Sequence, residues 1–159
     1  MNVSLAKVIQ EISNDIVRAA REIMSSDVGV NTKVGINTLQ GSNLYNQIKQ
    51  SWKEGDNIVI DTIFNGYIEY IEWDRPPKYG KRPPVIEIAK WLRRKHIVSS
   101  NENIMSVAYA VSYAIWRDGW KGRKIFDALD KYVDSGFDNQ YADLIFEGLF
   151  AETDNYFND

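Results

Sequence analysis

Trp73-Asp74-Arg75-Pro76-Pro77-Lys78-Tyr79-Gly80-Lys81-Arg82-Pro83-Pro84 holds all four prolines of the chain, as two Pro-Pro pairs. Proline fixes φ and carries no backbone N–H, so this density excludes helix interior and central strand. The segment reads as a stiff, extended loop. An aromatic stretch precedes it and an amphipathic helix follows it. It also opens the most basic part of the chain.

Upstream, Leu5, Val8, Ile9, Ile12, Ile16, Ala19, Ala20 and Ile23 recur at spacings of three and four. That stripe predicts a helix from about Ser4 to Met24. Residues 25–42 are polar and punctuated by Gly and Asn, which predicts a long loop. Ser42 suits an N-cap for a short helix carrying Leu44, Tyr45, Ile48 and Trp52, closed by Gly55. The β-branched run from Asn57 to Phe64 predicts a strand, and Asn65-Gly66 is a hairpin signal. The run from Tyr67 to Trp73 fits a second strand or a helical turn.

Downstream, Pro83 and Pro84 suit the first turn of a helix that places Ile88, Trp91 and Leu92 inward and its cations at the C-terminal end. A longer helix starts at Ser99 or Ser100, with Ile104, Val107, Ala108, Val111, Ala114 and Ile115 on one face, and Gly119 stops it. Ile125, Phe126, Leu129 and Val133 mark another, broken by Gly136. A last helix is expected from about Asn139 to Glu152, with a frayed or partner-dependent end. The resulting fold class is α+β: a long N-terminal helix, a small antiparallel sheet around 57–73, and a layer of helices in the C-terminal half. The expected organisation is one domain over 1–135, with an acidic helix and tail over 136–159 packed on it or on a partner.

At 159 residues the chain is large enough to bury a real core. It has no Cys, which excludes disulfides and thiolate metal sites, and a single His, His96. No apolar run approaches the ~20 residues of a membrane span, and the N-terminus lacks a signal-peptide core, so a cytosolic setting is expected. The net charge of −3 conceals an asymmetry. Residues 75–124 carry 12 basic and 3 acidic side chains, residues 125–159 carry 1 basic and 9 acidic. The acidic end could meet the basic middle in its own chain or in a neighbouring copy, or the basic middle could meet nucleic acid.

No catalytic constellation emerges. His96 follows three cations at a helix end with no carboxylate to orient it. Glu69 and Glu72, near Asp61 and Asp74, match no metal-ligand spacing, and salt bridging to Arg75, Arg82 or the basic helix is their expected role. Gly119-Trp120-Lys121-Gly122-Arg123-Lys124 lacks the spacing of a phosphate-binding loop. No metal and no cofactor are expected. The stiff loop and basic stretch instead nominate contact residues: Arg75, Lys78, Tyr79, Lys81 and Arg82 on the loop, and Arg93, Arg94, Trp120 and Arg123 beyond it. The same stretch, with Trp91, is the basis of the alternative, a nucleic-acid binder.

From about Leu39 to Leu129 the chain resembles the tail-completion, or head–tail connector, proteins of tailed bacteriophages. The resemblance is carried by Tyr67-x-x-Tyr70-Ile71-Glu72, then the proline loop, then Pro83-Pro84 opening a helix that runs through Trp91-Leu92-Arg93-Arg94-Lys95. Ala108-Tyr109-Ala110-Val111-x-x-Ala114-Ile115 and the Gly119–Phe126 turn complete it. The resemblance implies a non-enzymatic structural protein of the virion neck, made in the host cytoplasm. Its partners would be other copies of itself in a ring and the neighbouring connector and tail proteins, with no membrane.

Overall fold

The computed structural model describes residues 4–32, 35–53, 58–66, 68–98 and 103–158. Gly55, Asn57, Tyr67, Ser99 and Ser100, to which the sequence assigns element ends or motif positions, lie outside the described residues. The fold is α+β, with a long N-terminal helix, short antiparallel strand pairs and helices through the C-terminal half. Contacts gather the chain into two compact units, one of Met1–Glu72 with Arg123–Asp159, the other of Trp73–Gly122. The boundary read from the sequence at 135 falls inside a helix of the first unit.

The first unit is built on helix α1, Leu5–Ser25, capped by the Ser4 hydroxyl, which accepts from the Lys7 N–H. Its apolar stripe becomes the buried face: Leu5, Val8, Ile9, Ile12, Ile16, Ala19 and Ala20 are all under 8% exposed. After α1 the chain makes a 3₁₀ turn, Asp27–Gly29, and two short antiparallel strands, β1 (Val30–Asn31) and β2 (Ile36–Asn37). So the segment 25–42 carries secondary structure of its own, and Asn37 is its knot. Its Nδ2 donates to the carbonyls of Met24 (2.8 Å) and Ser26 (3.1 Å), and its Oδ1 accepts from Leu39 and Gln40 N–H, both at 2.9 Å.

Ser42 caps a helix as its position suggests, accepting from Tyr45 N–H at 3.3 Å, but α2 is a single turn, Asn43–Asn46. Ile48 and Trp52 do not continue it. Lys49–Lys53 is strand β3, paired antiparallel with β4, Val59–Ile63, with Lys49 opposite Ile63 and Lys53 opposite Val59. The sheet expected around 57–73 therefore lies at 49–63. Asn65-Gly66 makes no hairpin: the Asn65 carbonyl accepts from Ile68 N–H at 2.9 Å, and helix α3, Ile68–Glu72, follows. Packing decides this. Ile68 is buried in the core on α1, and Phe64 and Ile71 pack against it; a strand would send Ile68 and Ile71, three residues apart, to opposite faces.

Helices α6 (Ile125–Gly136) and α7 (Ala142–Asn158) both pack on α1. Gly148 admits the close approach of α7, since a Cβ there would stand 3.1 Å from Leu5 Cα and 3.2 Å from a Val8 methyl. Gly136 does not break the chain. It keeps helical angles, φ −63 and ψ −43, and a π-helical segment, Phe137–Tyr141, carries straight on into α7. The ring of Tyr141 occupies the space a Cβ at 136 would fill, so this glycine serves packing rather than termination. The Tyr141 hydroxyl donates to the Asp15 carboxylate, which also accepts from Tyr132 at 2.8 Å. Burial, with Tyr132 beside it, pushes the Tyr141 phenol up to about 12.

The second unit is a helical pair with the proline loop laid on it. Helix α4, Val85–Arg94, opens at Pro84 and α5 runs Ile104–Asp118. Ala89, Leu92 and Ala108 form a small core, flanked by Val85, Ile88 and Val107. The alanines let the two backbones close on each other. Trp91, expected inward, is 40% exposed. His96 takes a left-handed conformation (φ 51) that closes α4, with Ile97 N–H bonded back to the Leu92 carbonyl at 3.2 Å. Asn103 caps α5, its Oδ1 accepting from Met105 N–H at 3.1 Å. Gly119 ends α5, as its position in the sequence suggests, at φ 61 and ψ −167.

Candidate functional site

Within the second unit the loop runs along α5 and is bonded to it at almost every turn. Arg75 and Trp120 exchange backbone bonds, N–H to O at 2.9 and 3.0 Å. Lys78 N–H donates to the Trp116 carbonyl at 2.7 Å, and the Trp116 indole donates to the Gly80 carbonyl at 3.0 Å. Further along, the Ser112 hydroxyl, 1% exposed, donates to the Pro83 carbonyl at 2.6 Å. Proline supplies no donors, so helix side chains and non-proline amides take over the pairing. The loop needs Gly119 for this approach, because a Cβ there would run into the Arg75 carbonyl and the Pro76–Pro77 backbone.

Two arginines hold the loop in shape. Arg75, half-buried, donates from Nη2 to the carbonyls of Tyr79 (3.0 Å) and Lys81, and its guanidinium lies 5.1 Å from the Trp120 ring centroid. Arg82 lies over Tyr113, Trp116 and Tyr109, with 5.0, 5.2 and 5.6 Å to their centroids, and donates from Nη1 to the Tyr109 hydroxyl at 2.8 Å. Each exposed guanidinium–ring contact contributes about 0.5–1 kcal/mol, and three rings around one cation fix its position as well. Lys78 (φ 59) and Gly80 (φ 65) make the left-handed bends that turn Tyr79 outward, 68% exposed.

The loop residues Arg75, Lys78, Tyr79, Lys81 and Arg82, and Trp120, are thus brought together. Trp120 also donates its indole N–H to the Trp73 carbonyl at 3.2 Å. Arg93 and Arg94 are exposed in the last turn of α4, about 15 Å of helix beyond Pro84, and are not part of this cluster. Arg123 belongs to the first unit, where its Nη2 donates to the Thr38 hydroxyl at 2.8 Å and its N–H to the Ile71 carbonyl at 2.9 Å.

The face also contains residues that the sequence reading passed over. Met105 (45% exposed), Tyr109 (55%) and Tyr113 (39%) stand in a row on α5, with Trp116 one turn further. Their spacing of four, four and three was a usable signal. The apolar Ile104–Ile115 stripe on the other side of α5 masked it, because both faces are apolar.

Among the described residues the carboxylates form no comparable site. Glu72 is 0% exposed, and its Oε2 accepts from Phe126 N–H at 3.1 Å, which makes it a cap for the first turn of α6. The ion pairs Arg18–Asp15, Lys90–Glu87 and Arg117–Asp118 are local to single helices, and the last raises the Arg117 pKa further through hydrogen bond and charge. Glu69 is exposed. Among the described residues no group of three or more His, Cys, Asp or Glu could hold a metal ion, and no helix is long and apolar enough to cross a membrane. Compared with protein-family models, curated proteins and solved structures, the chain matches none of them.

Proposed function

We propose that this chain is a structural assembly subunit, and that the proline loop with the aromatic row of α5 is its principal contact surface. One observation carries the reading. A rigid loop, bonded along a helix and held by two guanidinium groups, presents Tyr79, Tyr109 and Tyr113 outward among cations. Exposed Tyr and Arg on a preorganised scaffold are the composition of interface hot spots, and rigidity lowers the entropy lost on association. Catalysis would ask instead for a concave site with convergent titratable groups. With the resemblance of residues 39–129 to phage tail-completion proteins, the favoured setting is the virion neck. There, copies of the chain would form a ring and join the capsid connector to the tail.

The second reading, nucleic-acid binding, is supported by one feature: exposed Arg93, Arg94 and Lys95 at the end of α4, with Trp91 40% exposed beside them. A single experiment separates the two. Mass in solution is measured by light scattering across concentration and salt, with and without a short DNA. Assembly is expected to appear with concentration, to ignore DNA, and to vanish in the Tyr79→Asp/Lys81→Glu variant while its circular dichroism is unchanged. A monomer that binds DNA with a steep salt dependence would overturn the assembly reading in favour of the second.

A further inference from the structure

We propose that the outward face of α7 docks on the loop-and-α5 face of a second copy of this chain. The inference rests on the assembly reading and names the surface that completes it.

Helix α7 has two apolar faces. One packs on α1, with Gly148 at the point of closest approach. On the other side stand Phe146, Leu149 and Phe150, which are 59%, 42% and 68% exposed. At 100° per residue these three positions fall within about 100° of arc, a single row. Asp143 and Glu147, both exposed, border the row on one side. Nothing in the packing of α7 on α1 requires three large apolar side chains on the far side, and exposed rows of this kind mark interaction surfaces.

The chemistry of the occupant follows from charge. Residues 125–159 carry 9 acidic side chains and 1 basic, so the row sits in a strongly negative field. Two such rows would repel each other, which disfavours a two-fold contact of α7 with itself. A positive, aromatic complement is required. The chain supplies one: Tyr79, Tyr109 and Tyr113 set among Lys78, Lys81 and Arg82, inside a stretch of 12 basic and 3 acidic residues. Two cationic faces would likewise repel. Each surface therefore fits the other and not itself. A contact between two different surfaces of one chain is head-to-tail, and it propagates from copy to copy, giving a ring where the rotation between copies closes and an open filament where it does not.

The test uses two full-length variants. Phe150→Asp with Leu149→Asp breaks the α7 face; Tyr79→Asp with Lys81→Glu breaks the loop face. All four positions are exposed, so both chains should fold, which circular dichroism verifies. Each variant alone is expected to lose at least about thirtyfold in association, the effect of about 2 kcal/mol, and to run as a monomer where the wild type assembles. Mixed one to one, they are expected to form a dimer that grows no further, because each partner offers the one surface the other lacks. A mixture that stays monomeric overturns the proposal, as does an α7 variant that assembles like the wild type; in both cases the assembly reading stands. A wild type that is monomeric at every concentration overturns this proposal and the assembly reading together.

Discussion

Gly119 shows how much one position can govern. Its angles, φ 61 and ψ −167, lie in a region that is essentially reserved for glycine, and the Arg75 carbonyl occupies the place of a side chain. Gly119→Ala combines backbone strain with a clash against backbone, so it is expected to destabilise the second unit by about 2 kcal/mol or more. Gly80 is the control. It also has positive φ, 65, but open space where a Cβ would go, so Gly80→Ala should cost only about 1 kcal/mol. Urea titration followed by tryptophan fluorescence ranks the two, and equal losses would show that the loop does not press on Gly119. Tyr141 makes a pH prediction. Its folded pKa, about 12, lies above the ordinary value of 10, so its contribution is fully present below pH 10 and falls as pH rises towards 12. Stability should decline across pH 10–12 by up to about 1.4 kcal/mol per unit, over and above other titrations. In Tyr141→Phe, which is expected to be less stable at neutral pH for want of the bond to Asp15, this part of the decline should be absent. An identical slope in the two proteins would contradict the assignment.

At the scale of elements, the loop is an ordered strap because Arg75 and Arg82 organise carbonyls and rings that prolines cannot bond. Arg82→Lys keeps the charge but loses the planar group that lies against Tyr109, Tyr113 and Trp116. It is expected to speed amide exchange at Lys78 and Tyr79 about tenfold, and Arg82→Ala somewhat more, with α1 amides unaffected. Exchange unchanged in both variants would mean that backbone bonding alone holds the strap. The strap, α1, α4 and the end of α5 were legible because they depend on local rules: proline density, a 3.6-residue stripe, a cap, a terminal glycine. The strand Lys49–Lys53 was not, since Lys-Gln-Ser-Trp-Lys has no alternation and pairs only because Val59–Ile63 lies beside it. Asn65-Gly66 misled for a related reason. The dipeptide permits a hairpin, but burial of Ile68 on α1 decides for helix. Gly136 was misread as a breaker because its purpose, room for the Tyr141 ring, is a tertiary contact. In the candidate site the loop cations were legible from charge. The part played by Tyr109, Tyr113 and Trp116 was not, because α5 is apolar on two sides and only the fold shows which side is covered.

At the scale of the molecule, the first unit is assembled from both ends of the sequence, with Trp73–Gly122 inserted between them. The two ends flanking the insertion are already joined within that unit: Arg123 N–H donates to the Ile71 carbonyl at 2.9 Å and Phe126 N–H to the Glu72 carboxylate at 3.1 Å. Backbones paired in this way stand roughly 5 Å apart, a gap that two or three glycines span at ~3.3–3.6 Å per residue. Among the described residues, the core of the unit, α1 against α6 and α7, is built from the unit's own side chains. Replacing 73–122 by three glycines is therefore expected to leave a helical protein with one cooperative thermal transition. It would retain Trp52 alone of the five tryptophans, so its fluorescence would report on the first unit only. The shortened chain keeps the α7 row and lacks the loop face, so it should cap the wild type and shorten its assemblies in a dose-dependent way. A broad, non-cooperative melt would show that the first unit needs the insertion to fold. A cooperative melt without capping would separate folding from assembly and place the complement of the loop face somewhere other than the first unit.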